Sequence, residues 1–122
     1  MNKVKIAHIL HSVGGVDVSL RLILENIDST KFENIVVHGT DDTKHSYIDN
    51  KKEPIKEYKL PIQRNISLLK DFKAIYNTIK ILRKEKPDII HAHSAKGGIV
   101  AKTTGVFLKT PVLHTPQAYS YL

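Results

Sequence analysis

Four short runs of apolar, often β-branched residues set what this chain can fold into. They are Val4–Leu10 (VKIAHIL), Asn34–His38 (NIVVH), Asp88–His91 continuing to His93 (DIIHAH) and Val112–His114 (VLH). Strands buried on both faces, as in parallel sheets, read as near-continuous apolar runs of this kind. Between them the period becomes helical. Val18, Leu20, Leu22, Ile23 and Ile27 predict an amphipathic helix starting at Val16 or Asp17 and ending near Asp28 to Thr30. Leu68, Leu69, Phe72, Ile75, Tyr76, Ile79 and Leu82 recur at three- and four-residue steps and predict the longest helix, stopped by Pro87. A third helix is expected from about Ile99 to Leu108. Ile55–Leu60 alternates apolar and charged residues, as a short edge strand does before Pro61, and the polar stretch from Gly39 to Asn50 reads as loop. The order β-α-β-(β)-α-β-α-β predicts an α/β fold: a doubly wound, Rossmann-like parallel sheet with right-handed crossovers.

With 122 residues the chain builds one core, so residues 1–122 are read as a single domain. There is no Cys, which excludes disulfides and thiolate metal sites. No apolar run approaches the roughly 20 residues of a membrane-spanning helix, and a cytoplasmic location is expected. Nineteen Lys and Arg against twelve Asp and Glu leave a charge of +7, which favours anionic partners. Eight Phe and Tyr, with no basic-aromatic cluster, argue against nucleic acid as that partner.

Three loops fall on the carboxyl edge of the expected sheet, where doubly wound folds bind ligands. The first contains Gly14, Gly15 and Val16, and it opens a helix whose free N–H groups could meet an anion. It is not the G-x-G-x-x-G fingerprint, and a plain strand-to-helix turn explains it equally well. The second is His91-Ala92-His93-Ser94-Ala95-Lys96-Gly97-Gly98. His91 and His93 share one strand face and could ligate a metal with His114. No Asp or Glu follows to complete a hard site, so no metal and no cofactor is expected. His91 is expected within the sheet, and His93, Ser94, Lys96 and Gly97 on the cleft rim. The third loop carries Thr115 and Gln117. A separate feature is the basic helix face of Lys70, Lys73, Lys80, Arg83, Lys84 and Lys86, opposed by Asp71 and Glu85 only; it reads as a solvated face or as a contact for an anionic bilayer surface.

Together these loops resemble the N-terminal domain of GT-B glycosyltransferases, specifically glycosyltransferase family 4. The family pattern K-P-D-h-h-H-x-H-S-x-K-x-G, with h apolar, is matched from Lys86 to Gly98, and P-V-h-h-T-P-H-G-[FY]-[SA]-[FY] is matched from Pro111 to Tyr121. Gln117 stands where many members have His. An amide there can hydrogen-bond a sugar hydroxyl but cannot act as a general base. The resemblance implies the acceptor-side domain of a retaining, metal-independent enzyme that transfers a sugar from a nucleotide-sugar donor. It implies polysaccharide, capsule or lipopolysaccharide synthesis on sugar or lipid-linked acceptors, peripheral to the inner face of the cell membrane. Gly14, Gly15, Val16, His93, Ser94, Lys96, Gly97, Thr115 and Gln117 are then expected to bind substrate, and no catalytic residue is assigned. The donor would be held mainly by a C-terminal domain absent from these 122 residues, so the domain is read as truncated at its C-terminal end and inactive alone. Two alternatives remain open: a non-enzymatic Rossmann-like ligand-binding or interaction domain, and a UDP-sugar epimerase of the GT-B type.

Overall fold

The computed structural model describes residues 3–10, 14–39, 46–60 and 68–115. In chain order these form β1 (Val4–Ile9), α1 (Gly14–Asn26), β2 (Phe32–Gly39), β3 (Lys56–Leu60), α2 (Leu68–Glu85), β4 (Ile89–His93), α3 (Ser94–Leu108) and β5 (Val112–Thr115). The five strands make one sheet in the order β3-β2-β1-β4-β5, and every pairing is parallel. This is the expected doubly wound sheet, with β3 as the expected edge strand. The strand order turns back between β1 and β4, and ligands of such folds bind in the crevice beyond that point.

The two faces differ in chemistry. Successive side chains on a strand point to opposite faces, and the register places Ala7, Ile9, Ile35, Val37, Ile90 and Ala92 on one side. There they pack with Leu60, Ala74, Leu82, Val100 and Ala101 into a dry core under α2 and α3. The opposite face carries Leu10 and Val36, packed against Leu20 and Leu24 of α1 and against Tyr47. That face also carries His8, Asn34, His38 and His93, all buried. The near-continuous apolar runs, expected to be buried on both faces, are therefore apolar on one face and carry histidine on the other.

Some elements differ from the sequence expectation in their bounds or orientation. α1 starts at Gly14, two or three residues early, and α3 starts at Ser94 directly from β4 instead of at Ile99. A first helical turn makes few intrahelical N–H bonds, so the glycines there interrupt little. In α2 the buried stripe is Ala74, Thr78, Leu82 and Glu85, while Phe72 and Tyr76 stand 72% and 63% exposed. The Thr78 hydroxyl is satisfied by donating to Ala74 O at 2.6 Å. Lys86 closes α2 in the left-handed conformation (φ 52°) just before Pro87, with its N–H donating to Leu82 O at 2.8 Å. Tyr47, expected in a loop, is fully buried. Its ring lies edge-on to His38 with centroids 5.7 Å apart, and the Arg21 guanidinium sits 4.3 Å from its centre.

Away from the carboxyl edge, Glu85 ties α2 to the sheet. Its carboxylate accepts from Lys5 Nζ at 2.7 Å and from the Tyr58 hydroxyl, and it pairs with Lys56 Nζ at 2.7 Å. Burial by itself would raise its pKa. The hydrogen bonds from Lys5, Lys56 and Tyr58 outweigh burial and hold the carboxyl at about 2.

Candidate functional site

Because all five strands are parallel, the chain leaves β1, β4 and β5 at one edge. Two helices begin there on opposite faces of the sheet, α1 after β1 and α3 after β4. Gly14, Gly15 and Val16 lie in the first turn of α1. Ser94 and Lys96 lie in the first turn of α3, with Gly97 just behind. Both starts flank the switch point, so their unpaired N–H groups and positive dipole ends favour an anion in the crevice. His93 precedes α3 in an extended conformation and makes no side-chain cap bond. Thr115 ends β5 two strands from β1. The expected residues up to Thr115 thus converge on one edge; Gln117 lies outside the described residues.

Beneath this edge a polar chain crosses four strands. His8 Nε2 lies 2.9 Å from Asn34 Oδ1, and His8 Nδ1 lies 3.1 Å from His93 Nε2. His91 Nε2 is 2.8 Å from Thr115 Oγ1. The amide oxygen only accepts, so His8 carries its proton on Nε2 and presents the Nδ1 lone pair to His93. His93 Nε2–H then donates to His8, which leaves the lone pair of His93 Nδ1 buried without a hydrogen-bond partner among the described residues. The rings of His91 and His93 lie tilted by 35° with centroids 4.0 Å apart, and each lies 5.3 Å from that of His8. One nitrogen from each of the three rings falls within 4.8 Å of the others. Burial, which disfavours the imidazolium, pushes His8 down to about 4 despite its bond to Asn34. Burial also pushes His93 down to about 2, helped by repulsion from His91, His8 and His114, and lowers His91 as well.

These positions correct two expectations. His93 is fully buried while His91 is half-buried, which inverts the rim and interior roles read from the sequence. The histidine that joins His91 and His93 comes from β1, not from β5. The register sets His8 directly against His91, whereas His114 pairs with Ala92 and so points to the other face. Sequence reading passed over His8 and Asn34 because each sits inside an apolar run, and only the register reveals that they meet.

Comparison with known proteins then decides the family. The model of Glycosyltransferase Family 4 matches residues 13–120. The chain belongs to glycosyltransferase family 4. This family-4 domain is 32% identical over 125 residues to the UDP-Gal:alpha-D-GlcNAc-diphosphoundecaprenol alpha-1,3-galactosyltransferase of Escherichia coli, an alignment that covers 98% of this chain and 31% of the relative. It is 25% identical to the capsular polysaccharide biosynthesis glycosyltransferase CapM of Staphylococcus aureus, over 92% of this chain and 28% of CapM. The domain thus spans about three tenths of the curated relatives it matches. Among solved structures, the lipopolysaccharide outer core galactosyltransferase WaaB superposes with a TM-score of 0.65 at 22% identity, covering 92% of this chain and 33% of WaaB. The UDP-GlcNAc 2-epimerase of Methanocaldococcus jannaschii gives 0.70 at 20%, covering 91% of this chain and 32% of that one. At these identities the superpositions show the fold: the Rossmann-like N-terminal domain of GT-B enzymes.

Proposed function

We propose that this family-4 domain is the acceptor-side half of a retaining glycosyltransferase that moves a sugar from a nucleotide-sugar donor to a sugar or lipid-linked acceptor in polysaccharide, capsule or lipopolysaccharide synthesis. The observation that carries this reading is the family match across residues 13–120, supported by the 32% identity to a galactosyltransferase whose name specifies a diphosphoundecaprenol-linked acceptor. The two helix starts at the switch point supply anion-binding donors suited to a diphosphate, and Gly14, Gly15, Val16, Ser94, Lys96, Gly97, Thr115 and Gln117 would line the acceptor side of the cleft. Donor binding would come mainly from a second domain. The test is transfer by the intact protein from a panel of UDP-sugars to polyprenyl-diphosphate-linked GlcNAc. A product enlarged by one sugar supports the reading. Release of UDP with an epimerised free sugar would instead support the GT-B epimerase reading, and specific ligand binding without turnover would leave a binding domain.

We further propose that α2 rests on the anionic inner face of a membrane. Lys73, Lys80, Arg83 and Lys84 are exposed along it, and Phe72 and Tyr76 are exposed beside them. Glu85, one of the two anions expected to oppose these cations, is instead drawn into the contact with Lys5, Lys56 and Tyr58. Among the described residues no helix is long and apolar enough to cross a membrane, so attachment through α2 would be peripheral. Each cation near an anionic surface gains about 1 kcal/mol, and an exposed aromatic suits the interface. The intact protein should co-sediment with phosphatidylglycerol vesicles at low salt and be released at high salt. Equal binding to neutral vesicles, or no salt effect, would reduce α2 to a solvated surface.

A further inference from the structure

Each neutral histidine that β1 and β4 bring together offers one ring lone pair, and one nitrogen of each ring lies close to the others. We propose that His8, His91 and His93 form a binding site for a borderline divalent cation of the Zn2+ or Co2+ class, held across the switch point beneath the ligand edge. The geometry is close to what such an ion needs. One nitrogen of each ring lies within 4.8 Å of the other two. The His8–His93 separation of 3.1 Å is near the roughly 3.3 Å between two ligands of a tetrahedral ion with bonds of about 2.0–2.1 Å. The widest pair must close by up to about 1.5 Å to share one ion, and half-buried His91, the least confined ring, is placed to move.

The chemistry of the pocket agrees. Imidazole ligates as the neutral ring, and burial keeps all three rings neutral near pH 7. Ligating histidines are commonly oriented by a hydrogen bond at the second nitrogen; Asn34 Oδ1 holds the Nε2–H of His8 in this way, and Thr115 Oγ1 engages His91. Coordination through His93 Nε2 places that ring's proton on Nδ1, a buried atom with no hydrogen-bond partner among the described residues. Three imidazoles leave a fourth coordination position for water. With nitrogen ligands and no carboxylate in the set, the site suits Zn2+ or Co2+ over Mg2+ or Ca2+.

The test needs no substrate, so its result is independent of sugar transfer. Tag-free intact protein, stripped with a chelator, is titrated with Zn2+ by calorimetry and with Co2+ by visible absorption. Saturable one-to-one binding at micromolar or lower concentration is expected, with ligand-field bands of a nitrogen-rich, low-coordinate site. His91→Asn, on the half-buried ring, should weaken binding at least tenfold, while His114→Asn should leave it unchanged. Because His8 and His93 are buried and their substitution endangers the fold, wild-type protein is also followed by imidazole 15N resonances. The ring nitrogens of His8, His91 and His93 should shift together, and those of His38 should not. Absence of saturable binding, indifference to His91→Asn, or shifts confined to other histidines would overturn the proposal and leave the three rings as a packed polar cluster in which His8 and His93 share a hydrogen bond.

Discussion

Gly105 in α3 shows how little room a single position can leave. Its carbonyl accepts from the Thr110 N–H at 3.0 Å and from that of Lys109, which closes the helix in the left-handed conformation. A methyl group at residue 105 would press into Val112 Cγ2 and lie 2.9 Å from the Thr110 carbonyl oxygen. Gly105→Ala should therefore destabilise by about 1–3 kcal/mol, despite the better helix propensity of Ala. An unchanged urea midpoint would mean that β5 shifts freely. Glu85 makes the opposite kind of contribution, through charge. Its folded pKa of about 2 lies below the ordinary value of 4.5, so the unfolded state binds the proton more readily. The stabilisation is complete above the ordinary value and disappears as pH falls from there towards 2. With screening at the more exposed Lys56 end it should amount to about 2 kcal/mol. Glu85→Gln should lower stability at pH 7, and the gap from wild type should close in acid. A gap independent of pH would show that packing, not charge, is what the substitution removes.

At the level of elements, α2 separates what the sequence reveals from what it hides. Its extent was legible, because apolar residues recur at helical spacing and Pro87 ends it. Its orientation was not. The pattern counts large apolar side chains, yet the buried stripe is built on Ala74 and Thr78, small residues that let the helix approach the sheet closely, together with Leu82 and Glu85. Leu82→Ala should cost about 2–5 kcal/mol. Phe72→Ala should change stability by no more than about 0.5 kcal/mol while reducing retention on anionic vesicles. A large loss of stability from Phe72→Ala would put that ring in the core after all. The strands were legible for a related reason: β-branched runs stand out whatever they pair with. Their histidines were not, since a cluster drawn from β1 and β4 exists only once the register is known. The glycines were assigned to loops by habit of composition, and the first turns of α1 and α3 accommodate them.

For the whole molecule, the parallel sheet has a consequence for how the chain is made. Among the described residues no two neighbouring strands of the sheet are joined by a hairpin, and the central strand, β1, precedes the other four in the chain. β1 can pair with β2 once Gly39 has emerged, but its other edge waits for β4, which begins fifty residues later at Ile89. At about 5–20 residues per second, that edge stays open on the ribosome for roughly 3–10 s. An open strand edge is a template for pairing with other chains, and long-range pairings of this kind also make folding slow. Nascent chains stalled before Ile89 is exposed should be cut readily by a protease and held by a ribosome-associated chaperone, whereas chains stalled well after Thr115 should resist both. Equal protection of the two stalled forms would mean that β1, α1 and β2 are stable without β4. The contact between His8 and His93 would then be a late addition to a finished half-sheet, instead of part of the event that closes the centre of the fold.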